Sequence, residues 1–222
     1  MCKLSELANV RIGSPFRERI VHEPDGTYRV VQGKDISSDG TIILDGMIRI
    51  EAVPGKGAPD ILAADEVVLQ TRGLSYRAAI IPKDVPPMVA AGSLYILHVD
   101  RACVSAEYLV FFLNLPATQI TLRQLATGSP IPNLRRSAIE QLQVALPSLS
   151  DQHQFVELSS LVRRQADIEG RLNTLRLQEL HLLATARADE TKGPAGKPDG
   201  TNALIESNHP TVQRFKDKTT GT

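Results

Sequence analysis

Residues 150–188 read SDQHQFVELSSLVRRQADIEGRLNTLRLQELHLLATARA, a stretch without proline in which large aliphatic side chains recur every seven positions. One row of this repeat is wholly apolar, and the row three positions before it is mixed. Apolar residues in such a and d rows are typical of a helix that packs along a second helix. The two rows are Leu161, Ile168, Leu175 and Leu182, and Leu158, Gln165, Leu172 and Glu179.

The predicted helix has a defined start and a weak centre. Ser150 is its predicted N-cap, with Asp151 and Gln152 in the first turn. Gly170 weakens the middle, while the polar Gln165 can set the register against a partner helix. The seam spans about 25 residues, more than one small domain covers, so pairing with another helix is favoured. Packing of the helix back onto its own domain stays the alternative.

The chain before this helix, residues 1–149, alternates short β-branched runs with glycine and proline. The turn pair Asp45-Gly46 predicts a hairpin between the runs 41–44 and 47–53. Ser105 is a predicted N-cap for the first clear helix. Strands are predicted at 28–32, 41–44, 47–53, 66–70, 78–81, 94–99 and 143–146, and helices at 105–113, 118–125 and 137–142. The fold class is therefore α+β, with a mixed-sheet domain followed by a long coiled-coil-type helix.

The last segment, residues 189–222, is rich in Lys, Thr, Gly, Pro and Asp, a composition that predicts a disordered tail. The predicted organisation is thus a domain at 1–149, a helix at 150–188 and a tail at 189–222. No internal repeat is visible in the sequence.

Composition restricts the class of protein. Lys+Arg and Asp+Glu are both 25, so the net charge is zero, which excludes a protein that coats nucleic acid by bulk positive charge. A local basic face stays compatible with that balance. The two cysteines, Cys2 and Cys103, are isolated and read as reduced thiols. Since no apolar run reaches the ~18 residues of a membrane span and no signal peptide opens the chain, we expect a cytoplasmic protein.

Residue types that carry catalysis form no recognisable constellation. Asn114-Leu115-Pro116-Ala117 differs from the Asn-Pro-Pro-aromatic motif of adenine methyltransferases, because Leu115 replaces the first proline and the aromatic ring is missing. No Gly-x-Ser-x-Gly nucleophile elbow occurs, and the histidines lack metal-ligand spacing. We therefore expect a non-catalytic chain that holds no metal and no cofactor of its own.

Three loops, at residues 72–77, 128–134 and 32–34, combine turn residues with side chains that suit DNA. Arginine contacts phosphates or guanine edges, tyrosine stacks, and asparagine reads adenine. Gly73 lets the first loop turn sharply, while Pro130 and Pro132 stiffen the second. Ordinary solvated loops, with Asn133 shaping a turn, are the alternative interpretation. The candidate DNA-binding residues are Lys34, Arg72, Ser75, Tyr76, Arg77, Ser129, Asn133 and Arg135.

Five segments, taken in order, resemble the specificity subunit of type I restriction–modification systems. They are Lys3–Leu7 with Ile12-Gly13, residues 61–73 (ILAADEVVLQTRG), residues 106–109 (AEYL), residues 126–134 (ATGSPIPNL) and residues 146–152 (LPSLSDQ). Ala106, Ser148 and Asp151 depart from the family's pattern. The resemblance covers residues 1 to about 188 and implies a target-recognition domain followed by a helical spacer.

The resemblance also implies a role. Members of this family are non-catalytic DNA readers with two recognition domains and two spacers, whereas this chain has one of each. We therefore expect a homodimer, or pairing with another half subunit, that reads a symmetric, interrupted site in double-stranded DNA. The implied partners are a methyltransferase subunit and a restriction motor subunit, which would carry the S-adenosylmethionine and ATP. The expected interface residues are Leu158, Leu161, Gln165, Ile168, Leu172, Leu175 and Leu182.

Two other functions stay open. One is a degenerate half subunit that docks on the methyltransferase without reading DNA. The other is an accessory of a different phage-defence system that contains the same recognition domain.

Overall fold

A computed structural model describes residues 1–16, 19–51, 59–128 and 130–191. It confirms the α+β class and the long helix near the end of the chain. The elements are β1 (Cys2–Lys3), α1 (Leu4–Leu7), β2 (Ala8–Ile12), β3 (Tyr28–Val31), a 3-10 turn (Gly33–Asp35), β4 (Ile48–Ile50), β5 (Val67–Gln70), β6 (Ala78–Ile80), β7 (Met88–Ala90), β8 (Leu94–Val99), α2 (Ala106–Asn114), α3 (Pro116–Leu125), α4 (Arg136–Glu140), β9 (Gln143–Val144) and α5 (Leu149–Thr191).

The chain divides into two units, Met1–Arg171 and Leu172–Thr222. In the second unit, the described residues are the second half of α5. The expected disorder of the tail concerns residues 189–222, of which 192–222 lie outside the described residues, while α5 extends to Thr191.

The first unit is built on a central antiparallel sheet with the strand order β2-β8-β5-β6. A second sheet has the order β4-β3-β7, in which β3 pairs antiparallel with β4 and parallel with β7. The short strands β1 and β9 pair with each other and join the two ends of the domain. The mixed parallel and antiparallel sheet expected from the sequence is therefore the three-stranded one.

Both faces of the central sheet are buried. Side chains of a strand alternate between its two faces, and here the two sets pack into two different cores. In β5, Val67 and Leu69 belong to a core shared with helices α1 to α4, whereas Val68 belongs to a core shared with the second sheet. In β8, Leu97 and Ile96 divide in the same way. This double burial explains why β5 reads as a continuous apolar run rather than an alternating one.

The predicted hairpin of strands 41–44 and 47–53 is wrong. Ile42 makes only an isolated bridge to Ile36, and Thr41 closes a local turn by accepting the amide of Ser37 at 3.0 Å. The strand β4, within the second predicted run, pairs instead with β3. The turn at Gly46 does form, with a left-handed φ of 72°. The sequence therefore predicted the turn correctly but not which strand pairs with β4.

The helix α5 begins one residue earlier than predicted, and its N-cap is Ser148 rather than Ser150. The hydroxyl Oγ of Ser148 accepts the amide of Asp151 at 3.2 Å and donates to the Asp151 carboxylate at 2.7 Å. Ser148 and Asp151, the two departures from the family pattern within residues 146–152, therefore form a capping pair of their own.

Gln152 fixes the start of α5 to the domain. Its side chain is fully buried; Oε1 accepts the Ser105 amide at 2.9 Å, and Nε2 donates to the carbonyls of Cys103 and Pro147 at 3.1 and 3.0 Å. Ser105 is also the N-cap of α2, as predicted, since its Oγ accepts the amide of Tyr108. One buried amide therefore ties the helix α5 to the start of α2.

Gln152→Ala is expected to lower the free energy of unfolding by about 1–3 kcal/mol, because the substitution leaves three partly buried backbone groups without their partner. Urea denaturation followed by circular dichroism measures the change. The exposed neighbour Gln154 provides the matched control, since Gln154→Ala leaves all three hydrogen bonds in place. Equal destabilisation by the two substitutions would contradict this role of Gln152.

Candidate nucleic-acid interface

Two of the predicted loops meet in the structure. We call residues 71–77 the Arg72 loop and residues 127–135 the Asn133 loop. Arg72 and Asn133 form an antiparallel bridge, in which the Leu134 amide donates to the Thr71 carbonyl at 2.8 Å and the Gly73 amide to the Pro132 carbonyl at 3.2 Å. Two segments about 60 positions apart in sequence thus share one short ladder.

The Asn133 loop is closed on its other side as well. The amide of Asn133 donates to the Thr127 carbonyl at 2.8 Å and its carbonyl accepts the Thr127 amide at 3.0 Å, so these two residues are joined by a pair of backbone hydrogen bonds. The hydroxyl of the buried Tyr95, on β8, donates to the Leu134 carbonyl at 2.9 Å. Backbone bonds on both sides of Asn133 therefore hold its half-buried side chain at the centre of the joined loops.

Gln70, which the sequence analysis did not select, connects the third loop. Its Nε2 donates to the Arg72 carbonyl at 2.8 Å. The 3-10 turn that carries Lys34 lies directly against it, because a Cβ added at Gly33 would stand 3.0 Å from Gln70 Cδ. The sequence feature that could have pointed to Gln70 is a polar side chain at the end of an otherwise apolar strand. All three predicted loops therefore lie on one side of the domain.

The cations of these loops are unpaired. Lys34, Arg72, Arg77 and Arg135 are exposed, and none forms an ion pair with a carboxylate among the described residues. Some cations elsewhere in the domain are paired with carboxylates, as Arg101 is with Asp65 at 2.8 Å. Arginines without carboxylate partners are available to phosphates and base edges.

Tyr76 corrects an expectation, because its side chain is buried at 1% exposure and does not project from the loop. Burial also raises the pKa of its phenol. Its backbone is held by Gln119 of α3, which accepts the Tyr76 amide at 3.0 Å and donates to its carbonyl at 2.7 Å. Tyr76 is therefore an anchor of the Arg72 loop. Ser75 is half-buried, and Ser129 lies outside the described residues.

Asn114 and Gln119 together close the open edge of β6. Asn114 repeats the pattern of Gln119 two residues further on, accepting the Ala78 amide at 3.0 Å and donating to its carbonyl at 2.8 Å. Each side-chain amide thus takes the place of a neighbouring strand, which protects the edge from pairing with another chain. Asn114 has this structural role, in agreement with the rejection of a methyltransferase motif around it.

Asp35 sets the geometry of the Lys34 turn from a buried position. Its carboxylate accepts the Gln32 amide at 2.9 Å, and burial raises its pKa above the ordinary aspartate value despite the neighbouring Lys34. A raised carboxyl pKa means that the folded state holds the proton more tightly than the unfolded chain. Ionisation of Asp35 therefore opposes folding as pH rises through its folded pKa.

Asp35→Asn is expected to make the protein more stable than the unchanged chain at pH 7, because the amide oxygen still accepts the Gln32 amide without a buried charge. The difference should shrink as pH falls through the raised folded pKa of Asp35 and should be gone below about 4, the ordinary aspartate pKa. Denaturation series across pH measure it, with the exposed Asp25→Asn as control. A stability difference that grows in acid would refute the burial effect.

Beside the joined loops lies a cleft of about 660 Å³, lined in part by Arg72, Arg19, Gln32 and Phe16. Among the described residues, no group of three or more His, Cys, Asp or Glu side chains could hold a metal ion. The search of the same residues found no helix long and apolar enough to cross a bilayer.

The helix α5 presents its apolar rows to solvent. The expected interface residues are all exposed, and the aliphatic ones retain 46–67% of their accessible surface. In the first unit these are Leu158, Leu161, Gln165 and Ile168; in the second unit they are Leu172, Leu175 and Leu182. An aliphatic row of this length on an isolated helix is unfavourable in water unless a partner covers it.

The α+β domain and the long helix that follows it place this chain in the structural class of the neighbours described below. Specificity subunits of type I restriction–modification systems are non-catalytic members of that class. This chain belongs to the type I restriction modification DNA specificity domain family, whose model matches residues 1–175. The family resemblance stated from the sequence is thereby confirmed.

Solved structures agree in fold. The specificity subunit from M. genitalium matches with a TM-score of 0.50 and 17% identity, over 75% of this chain and 39% of that one. A structure described under complex assembly and conformational transition of the type I restriction–modification system matches with a TM-score of 0.60 and 17% identity, over 89% and 51%. The HsdS subunit from Thermoanaerobacter tengcongensis matches with 0.50 and 16%, over 76% and 38%.

This chain therefore spans between about two fifths and one half of the length of the specificity subunits it matches. No curated protein matches its sequence.

Proposed function

We propose that this chain is a sequence-reading half of a type I specificity subunit, which binds double-stranded DNA and directs a methyltransferase subunit to its site. The observation that carries the proposal is the bridge between Arg72 and Asn133, since it joins two of the predicted loops into one surface. The cations of these loops have no carboxylate partners among the residues that the structure describes.

The roles of the loop residues follow from their chemistry. Arg72 is suited to a bidentate contact with guanine, and Asn133 to one with adenine. Arg77, Arg135 and Lys34 are suited to phosphates, which set the position of the protein on the duplex. The neutral net charge fits a reader that shares phosphate binding with its partner subunit.

We propose that α5 pairs through its exposed rows with the α5 of a second copy. Two recognition domains related by a two-fold axis would then read two half-sites of a symmetric, interrupted sequence. Pairing with the helix of a different half subunit would give an asymmetric site instead. The methyltransferase would supply the S-adenosylmethionine chemistry, and a restriction motor subunit, in a restriction or related phage-defence system in the cytoplasm, would supply ATP hydrolysis.

Methylome sequencing tests the proposed function. A host that expresses this chain with the methyltransferase from the same gene cluster should gain one new modified motif, absent when either protein is left out. No new motif, combined with a stable complex of the two proteins that does not bind DNA, would instead support a docking-only half subunit.

A further inference from the structure

Two exposed aliphatic side chains stand on the joined loops. Leu74 of the Arg72 loop retains 83% of its accessible surface, and Ile131 of the Asn133 loop retains 65%. Single exposed aliphatic residues are ordinary on protein surfaces. These two are a pair, because each is adjacent to the hydrogen bond that joins Gly73 to Pro132.

Leu74 and Ile131 are the next residues beyond the ladder on the two loops. The bridge sets Arg72 opposite Asn133, and the hydrogen bond from Gly73 to Pro132 is the outermost bond of the ladder. Gly73, between Arg72 and Leu74, has a left-handed φ of 110°, which turns the chain sharply before Leu74. Both side chains therefore mark the outer end of the ladder rather than its base.

The surroundings of the pair are cationic. The exposed Arg123 of α3 donates through Nε to the Leu74 carbonyl at 3.1 Å, while Arg72 lies two residues before Leu74. Neither arginine forms an ion pair with a carboxylate in the described part of the chain. An apolar tip between unpaired arginines is complementary to DNA, in which apolar base faces lie between anionic backbones.

We propose that Leu74 and Ile131 form an apolar wedge that inserts at a base-pair step of double-stranded DNA and partly unstacks it. The inference rests on the proposed function, because it assumes that the joined loops face the duplex. Insertion is favoured over lateral contact with a thymine methyl group because 83% exposure leaves nearly the whole Leu74 side chain clear of its own loop. Leucine and isoleucine are among the side chains that open base steps in this way.

The test uses the full-length chain alone, since a methyltransferase that extrudes its target base would itself change the signal. A duplex is first selected by the chain from a random pool at about 50 mM salt, where electrostatic binding is strong. 2-Aminopurine is then placed at each position of that duplex in turn. We expect its fluorescence to rise several-fold at one step of each half-site when the unchanged chain binds.

Leu74→Ala combined with Ile131→Ala should abolish that rise and lower the affinity about tenfold, from the loss of buried apolar surface. Both side chains are exposed, so the variant should retain the fold and stability of the unchanged chain. Ile61→Ala is the matched control, because Ile61 is also aliphatic and 48% exposed but lies outside the joined loops. The control should bind and unstack DNA as the unchanged chain does.

The outcomes separate the two proposals. If no duplex is selected even when the methyltransferase subunit is present, the proposed function fails and the wedge fails with it. If a duplex is selected but 2-aminopurine stays dark at every position, or the double variant behaves as the control does, the wedge is overturned while the proposed function stands. Loss of affinity on replacing thymine by uracil, without any rise in fluorescence, would assign the pair to methyl contacts and also overturn the wedge.

Discussion

Arg72→Ala is expected to weaken binding of this chain to its selected duplex by about 10- to 100-fold and to relax the sequence preference at one position of each half-site. The Arg72 backbone is held by the bridge to Asn133 and by the Gln70 side chain. The side chain that carries the guanidinium therefore extends from a fixed backbone position. That guanidinium has no hydrogen bond within the described residues, so DNA replaces water rather than an existing partner. Fluorescence anisotropy and repeated selection from a random pool measure both effects.

The variant Arg72→Lys separates the effect of the positive charge at position 72 from the effect of the planar guanidinium geometry. Lysine keeps the positive charge but lacks the planar fork that matches a guanine edge, so it should restore most of the salt dependence and little of the sequence preference. Arg101→Ala is the matched control, because Arg101 is exposed but already paired with Asp65. If Arg72→Ala leaves both affinity and preference unchanged, the bases are read elsewhere on the domain.

Elements with strong local signals were predicted well. The strand β8 has the predicted bounds because it is long, aliphatic and buried on both faces. The helix α2 follows its predicted cap, since Ser105 does accept the Tyr108 amide. The helix α5 was predicted within a few residues at either end from its heptad spacing. In each case the deciding information lies within about ten neighbouring residues.

What the sequence did not reveal depends on distant partners. The strand β7 has three residues, and its partner β3 lies about 60 positions earlier, so no local period marks it. Tyr76 was assigned to solvent because its neighbours are polar, yet Gln119 draws its backbone into the core. Long-range pairings of this kind leave no local periodic pattern in a single sequence.

The candidate interface shows the same contrast between features that are local in sequence and features that depend on distant partners. Residue type alone selected Arg72, Asn133 and Lys34, whose chemistry suits DNA. That they lie together is a property of the fold, since Gln70 and the loop-to-loop bridge join three separate segments. Loops held at their bases by buried amides can differ in the residues at their tips without loss of the scaffold, which is how a recognition domain can change its target.

Leu161→Glu combined with Ile168→Glu is expected to weaken self-association through α5 by more than about a thousandfold, since a two-fold dimer would lose four buried aliphatic side chains. Glutamate preserves the helix, as its helix propensity is close to that of leucine. Both residues are exposed in the single chain, so the stability of the domain should not change. Light scattering after size exclusion, over a range of concentrations, measures the association.

Two further variants make the test specific to the seam. Ser160→Glu with Ala166→Glu adds the same charge to α5 outside the a and d rows and should leave the dimer intact. Leu161→Lys with Ile168→Lys should be monomeric alone yet associate with the glutamate variant, because opposite charges then face each other across the seam. An unchanged chain that stays monomeric at high concentration, and whose methylated motif is asymmetric, would show that the exposed rows are covered by a different half subunit.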